Sequence, residues 1–164
     1  MQSIFSAWAG FAWFSIRSVI GRRISPTFVA SDEDISREIF SSSCYKKNGR
    51  VLPNAFSFNR KQSKPMSVNR FSLFSAPFFE KLGIQHGNNR SQTYKGAAHL
   101  LAGNIRNIRA DDWAADVLGT PKLRNPFHAD IPLPPDKGKD YDMEIQIRLA
   151  EISTFRPSEA ATKK

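Results

Sequence analysis

Apolar positions along the chain fall into short runs of differing period, separated by polar stretches rich in Gly, Pro, Asn and Ser. The first run, from Ile4 to Ile20, carries Arg17 and is short for a membrane-spanning helix. On a helical projection Ser3, Ser6, Gly10, Arg17 and Gly21 form a thin polar seam, and Ile4, Phe5, Trp8, Phe11, Ile16 and Val19 surround the rest. The pattern predicts a hydrophobic N-terminal helix within residues 1–30. Through Ile4, Trp8 and Phe11 such a helix could lie on a membrane surface or in a partner's groove, with residues 1–23 as a tether. A helix packed on the domain's own core is the plainer alternative, and the acid-free composition also suits a targeting presequence.

"SDEDISREIF" (31–40) fits a short helix, with Ile35 and Ile39 one turn apart, and equally a strand. Asn48-Gly49 in "KKNGR" predicts a tight turn, and "SVNRF" a short strand. "FSAPFFEKLG" predicts a helix capped by Ser75, with Pro77 in its first turn, Gly83 at its end, and Phe78, Phe79 and Leu82 as its buried face. Residues 84–95 read as a polar loop in which His86 lies at the surface. His99, among small apolar residues, reads as a hydrogen-bonded core or boundary histidine. "ADDWAADVLG" predicts a second helix, with Asp111 and Asp112 as helix-dipole partners in its first turn and Gly119 ending it. "FHADIPL" alternates as a strand, placing His128 and Asp130 together opposite Phe127, Ala129 and Ile131. Pro126 and Pro132 make it an edge strand. "YDMEIQIRLAEIS" satisfies both periods; its helix formers and Asp140 as a candidate cap favour a helix.

The expected fold is α+β: one small domain over 31–153, a short and mostly antiparallel sheet with two to four helices. It follows the hydrophobic N-terminal helix and precedes a flexible tail over 154–164. "ISREIFSSSCYKKNGRVLPNAF", "SVNRF", "NPFHADIPLP" and "RLAEIS" occur in that order, and over about residues 31–152 the chain resembles an uncharacterised family of short bacterial proteins. The resemblance implies a single bacterial domain and brings no catalytic residue with it.

Charge changes the picture more than length does. The 164 residues carry a net charge of +9, which favours polyanionic partners. No acid occurs between Phe40 and Phe79, whereas residues 111–151 hold nine acids against five bases. The basic middle contains Lys46, Lys47, Arg50, Arg60, Lys61, Lys64 and Arg70, interleaved with Tyr45, Phe56, Phe58 and Phe71. Cations on turns beside aromatic rings suit phosphate backbones and unpaired bases. The same rings could instead point into the core.

Candidate chemistry is sparse. Cys44 is the single cysteine, which rules out an internal disulfide. No two histidines stand at zinc-binding spacing, and no phosphate loop or nucleophile elbow occurs, so neither metal nor cofactor is expected. The favoured expectation is a non-enzymatic, cytoplasmic module that binds nucleic acid or another polyanion through the seven basic residues. The alternative is a small enzyme on a phosphate-bearing, nucleotide-like substrate, with His128 as acid/base oriented by Asp130.

Overall fold

Residues 7–9, 12 and 27–162 are described in a computed structural model of the chain. Alternation settles the first ambiguous segment. Ile35 and Ile39 are buried on one side of a strand, β1 (Asp34–Ile39), where the two-residue period sets them on the same face. β2 (Met66–Arg70) and β3 (Gly96–Leu101) flank it. The sheet continues outward to β7 (His128–Ile131) and β6 (Leu118–Gly119) on one side, and to β8 (Thr154–Pro157) on the other. Its order is β6-β7-β2-β1-β3-β8, with every neighbouring pair antiparallel. The protein is therefore the small α+β domain with an antiparallel sheet that the pattern predicts.

One sheet face is apolar. Ile35, Ile39, Val68, Leu100, Ala129 and Ile131 pack in one buried core with Ile145 and Leu149 of a helix, α3 (Lys139–Glu151), which follows the short α2 (Ala102–Arg106). Burial of a side chain of this size contributes about 1.5–3 kcal/mol. The helix wins over the alternating reading because Ile145 and Leu149 share a buried face, while Met143 and Ile147 remain exposed. Its N-cap is Gly138, in the left-handed region at φ 97°, rather than Asp140, which lies in the first turn.

The other face is polar. Strand register lines up His128, Asn69, Ser36, His99 and Thr154 in one transverse row. The first four are buried, at 7% exposure or less. The helix α1 (Ala76–Asn88) reaches this face through His86, which bonds Glu38 of β1. Its Phe78, Phe79 and Leu82 join Phe127 and Ala7 in a second apolar cluster, with Trp8, Phe71 and Phe74 packed against it.

Several expectations need correction. α1 does not stop at Gly83 but runs to Asn88, so the first five residues of the expected 84–95 loop are helical. The glycines serve close approach: a Cβ on Gly83 would meet the Tyr94 ring, and one on Gly87 the carbonyl of Gln92. Residues 111–119 form no helix. β4 (Arg109–Ala110) and β5 (Trp113–Ala114) make a small hairpin around Asp111, whose φ is 50°. Asp111 and Asp112 serve Lys137 Nζ, at 3.0 and 2.8 Å, instead of a helix dipole.

β7 is no edge strand, since β6 and β2 pair on either side of it. The tail expected to be flexible from residue 154 opens with β8 against β3 and continues in a short helix, Glu159–Thr162. Ser158 between them is 1% exposed and bonds the Glu80 carboxylate. Of the N-terminal docking residues, Ile4 and Phe11 lie outside the described residues. Trp8 is half-buried, and its indole N–H donates to the Leu123 carbonyl. Among the described residues no helix is long and apolar enough to cross a membrane.

Candidate functional site

Pairing between β1 and β2 is confined to Ile35–Arg70 and Ser36–Asn69. Past that point the Arg37 guanidinium takes the place of a strand partner, donating from Nη1 to the Ser67 carbonyl at 2.8 Å. Burial lowers the Arg37 pKa from its ordinary value, and the Arg90 charge acts in the same direction. Beside this fork lies a cleft of about 250 Å³. That is just below the ~300–1,000 Å³ of most small-molecule sites, and sized for a compact group rather than a duplex. Four cations line it, Arg37, Arg90, Lys122 and Arg124, against one acid, Glu38. Among the described residues none of the four cations has a salt bridge.

His128 lines the same cleft. Pro121 and Pro126 bracket a reverse turn in which the backbones of Lys122 and Asn125 bond each other reciprocally at 3.0 and 3.0 Å. This turn carries Lys122, Arg124 and Asn125 to the His128 end of β7. Lys122 Nζ stands 2.7 Å from His128 Nε2. An ammonium only donates, so Nε2 accepts and the proton of the neutral ring sits on Nδ1. Nδ1–H then donates to Thr120, whose Oγ1 is 2.8 Å away and whose carbonyl is 3.0 Å away. Thr120 Oγ1 passes its own hydrogen to Asp130 Oδ2 at 2.7 Å.

Asp130 thus orients His128 through Thr120. Its direct approach is only 3.7 Å and ends at Nε2, too long for a hydrogen bond. Burial lowers the His128 pKa below its ordinary value. The Asp130 charge opposes that shift and the Lys122 charge adds to it. The result is a neutral imidazole with its lone pair fixed at Nε2.

A second chain crosses the sheet. His86 Nδ1 lies 3.0 and 2.9 Å from the two Glu38 oxygens, so it donates and leaves Nε2 outside the pair. Glu38 Oε1 also accepts from Asn69 Nδ2 at 3.4 Å. Asn69 therefore turns its Oδ1 outward, where it accepts from Asn125 Nδ2 at 2.6 Å. The carboxylate at one end fixes both amide orientations, and Asn125 Oδ1 is left buried with no hydrogen-bond partner. An orphaned acceptor in a cleft of donors is a demand for a ligand hydrogen. Phe40 forms part of the wall, with the Arg90 guanidinium 5.2 Å from its ring centre and Tyr94 at 6.0 Å.

The structure divides the basic residues singled out in the sequence. Arg70 is fully buried. Its Nε and Nη2 hold the Glu33 carboxylate at 2.8 and 2.7 Å, and Nη2 also bonds the Phe28 carbonyl at 2.9 Å. Arg60 grips Asp142 and the carbonyls of Pro134 and Pro135. Both are structural ties, because their donors are spent inside the domain. Lys46, Lys47, Arg50, Lys61 and Lys64 are exposed. Tyr45 stacks on Phe155 at 4.0 Å, and Phe56 is fully buried.

His128 and Asp130 do come together, as the alternation implies. Glu38, Asn69, His86, Lys122 and Asn125 gave no local signal, because four separate segments meet to form the cleft. Among the described residues no group of three or more His, Cys, Asp or Glu is placed to hold a metal ion. In comparison with known proteins, no family model, curated protein or solved structure matches the chain.

Proposed function

We propose that the cleft binds a phosphate-bearing, nucleotide-like ligand and transfers a proton on it, with His128 as the base. One observation carries the reading: the chain Lys122–His128–Thr120–Asp130 opens into a cleft whose walls hold four cations and one acid. A general base needs a lone pair aimed at the reacting group and a partner that fixes its tautomer; Nε2 and Thr120 provide these. Lys122 keeps the ring unprotonated until an anion draws the ammonium away, which frees Nε2 as the ligand arrives. Arg90 and Arg124 add donors suited to phosphate oxygens.

Titrating the full chain with pyrophosphate, followed by histidine ring proton NMR, tests this. The His128 and His86 resonances are expected to move together and saturate. Lys122→Ala should weaken binding about tenfold or more, as for loss of a charged hydrogen bond of ~1.5–3 kcal/mol. Unmoved histidine signals, or equal affinity in the variant, would reject the site.

A second reading, polyanion binding without catalysis, is favoured by the exposure of Lys46, Lys47, Arg50, Lys61 and Lys64, none of which makes a salt bridge among the described residues. It predicts salt-sensitive oligonucleotide binding that survives Lys122→Ala and falls when these lysines are replaced.

A further inference from the structure

We infer that the ligand is single-stranded RNA and that the cleft cleaves it by transfer of the phosphate to the neighbouring 2′-hydroxyl. This rests on the phosphate reading and adds what that reading leaves open, the nucleophile and the leaving group. Two features converge. The cleft holds two imidazoles, each tied at Nδ1 to a carboxylate, His86 directly and His128 through Thr120. Each therefore has its Nε2 for chemistry, one ring as base and the other, beside Glu38, as acid. Asn125 Oδ1 is a buried acceptor with its orientation fixed and no partner. The fitting ligand must then bring a hydroxyl or amine hydrogen as well as an anion. A ribose phosphate carries both on adjacent atoms, and the 2′-hydroxyl is the group that distinguishes RNA from DNA.

The step balances with the residues in place. His128 Nε2 removes the 2′-hydroxyl proton, and the 2′-oxygen forms a bond to the adjacent phosphorus. The bond from phosphorus to the 5′-oxygen breaks, and that oxygen leaves with the proton from His86 Nε2. The products are a 2′,3′-cyclic phosphate and a 5′-hydroxyl, and the two rings exchange protons with water to reset. An internal nucleophile needs no captured water and reacts with the advantage of proximity. Lys122, released from Nε2, meets the charge that builds on the phosphoryl oxygens. Phe40, beneath the Arg90 guanidinium, offers a face on which an unpaired base can stack.

The test uses the full chain and four oligonucleotides of one sequence: RNA, DNA, duplex RNA, and RNA with one 2′-deoxy residue at the major cleavage position. Products are identified by mass. Cleavage of single-stranded RNA to cyclic-phosphate ends is expected, with no cutting of DNA or at the deoxy position and much slower cutting of the duplex. His128→Ala and His86→Ala should each lower the rate about 10²–10⁴-fold, and Lys122→Ala about 10²-fold. Identically purified Lys81→Ala, at an exposed position given no part in the site, should keep full activity.

His128 is buried, so its variant could unfold. The deoxy substitution reads the nucleophile without altering the protein, and His86, 32% exposed, supplies the second variant. Ends bearing a 5′-phosphate, equal cutting of DNA, or activity unchanged in His86→Ala would overturn the inference. RNA left intact while pyrophosphate still binds through Lys122 would overturn it and leave the phosphate site standing. Failure of both assays would remove both.

Discussion

Arg70 ends a β-strand and Lys122 sits on the turn between two others, and these two cations spend their charge in opposite ways. Arg70 is shut inside the domain with Glu33, joining β2 to the chain that enters β1. Lys122 stands exposed on a proline-bracketed turn and points at the Nε2 of a buried histidine. The residues around Arg70 make the most basic stretch of the sequence. Those around Lys122 lie in a stretch with an acidic excess, yet the cleft they help to line has four cations and one acid. Charge density along a chain and charge density in space are separate quantities, and only the second recruits a ligand.

The comparison breaks most sharply at Arg70. Replacing it by alanine leaves Glu33 buried and unpaired, which costs about 3–5 kcal/mol. Urea unfolding should show that loss, while pyrophosphate affinity of the remaining folded protein stays the same. A neutral result would mean that the pair is not closed to solvent, and Arg70 would return to the surface cations. Arg60→Ala should cost less, about 1–2 kcal/mol, because the Arg60 side chain is 25% exposed and water can replace part of what it holds. Its loss frees the Pro134–Pro135 loop from α3, so faster proteolysis there is the accompanying readout.

Local pattern carried the strands and the longer helices, because a face to bury is written into the spacing of Ile35 and Ile39 or of Ile145 and Leu149. It failed where tertiary contacts decided. Gly83 looks like a helix end, but its missing Cβ admits the Tyr94 ring. "ADDWAADVLG" has helix chemistry, but Lys137 takes its two leading aspartates from 26 and 25 residues away. The site was half visible for the same reason. Period two pairs His128 with Asp130, but nothing in "FHADIPL" announces that Thr120 stands between them or that Lys122 faces the ring. His86 read as a surface histidine because its partner, Glu38, precedes it by 48 residues.

The smallest effect isolates what Lys122 does to His128. Burial is the main cause holding this imidazole below its ordinary pKa of 6.5, with the Lys122 charge as a further push and Asp130 and Glu38 pulling the other way. Lys122→Ala removes a like charge and opens Nε2 to water. Both changes raise the His128 pKa from its depressed value. Ring proton NMR against pH should show that upward move in the variant.

Stability must follow with a definite sign. In the wild type the unfolded chain takes up this proton first as pH falls, so the folded state loses stability from about pH 6.5 down to the lower folded value, and none above that range. The loss should be shallower in Lys122→Ala, because the folded and unfolded values lie closer together. A His128 titration unmoved by the substitution would mean that Lys122 does not sit on Nε2 in solution. The base would then be free before any ligand arrived, and the coupling between anion binding and base release would go with it.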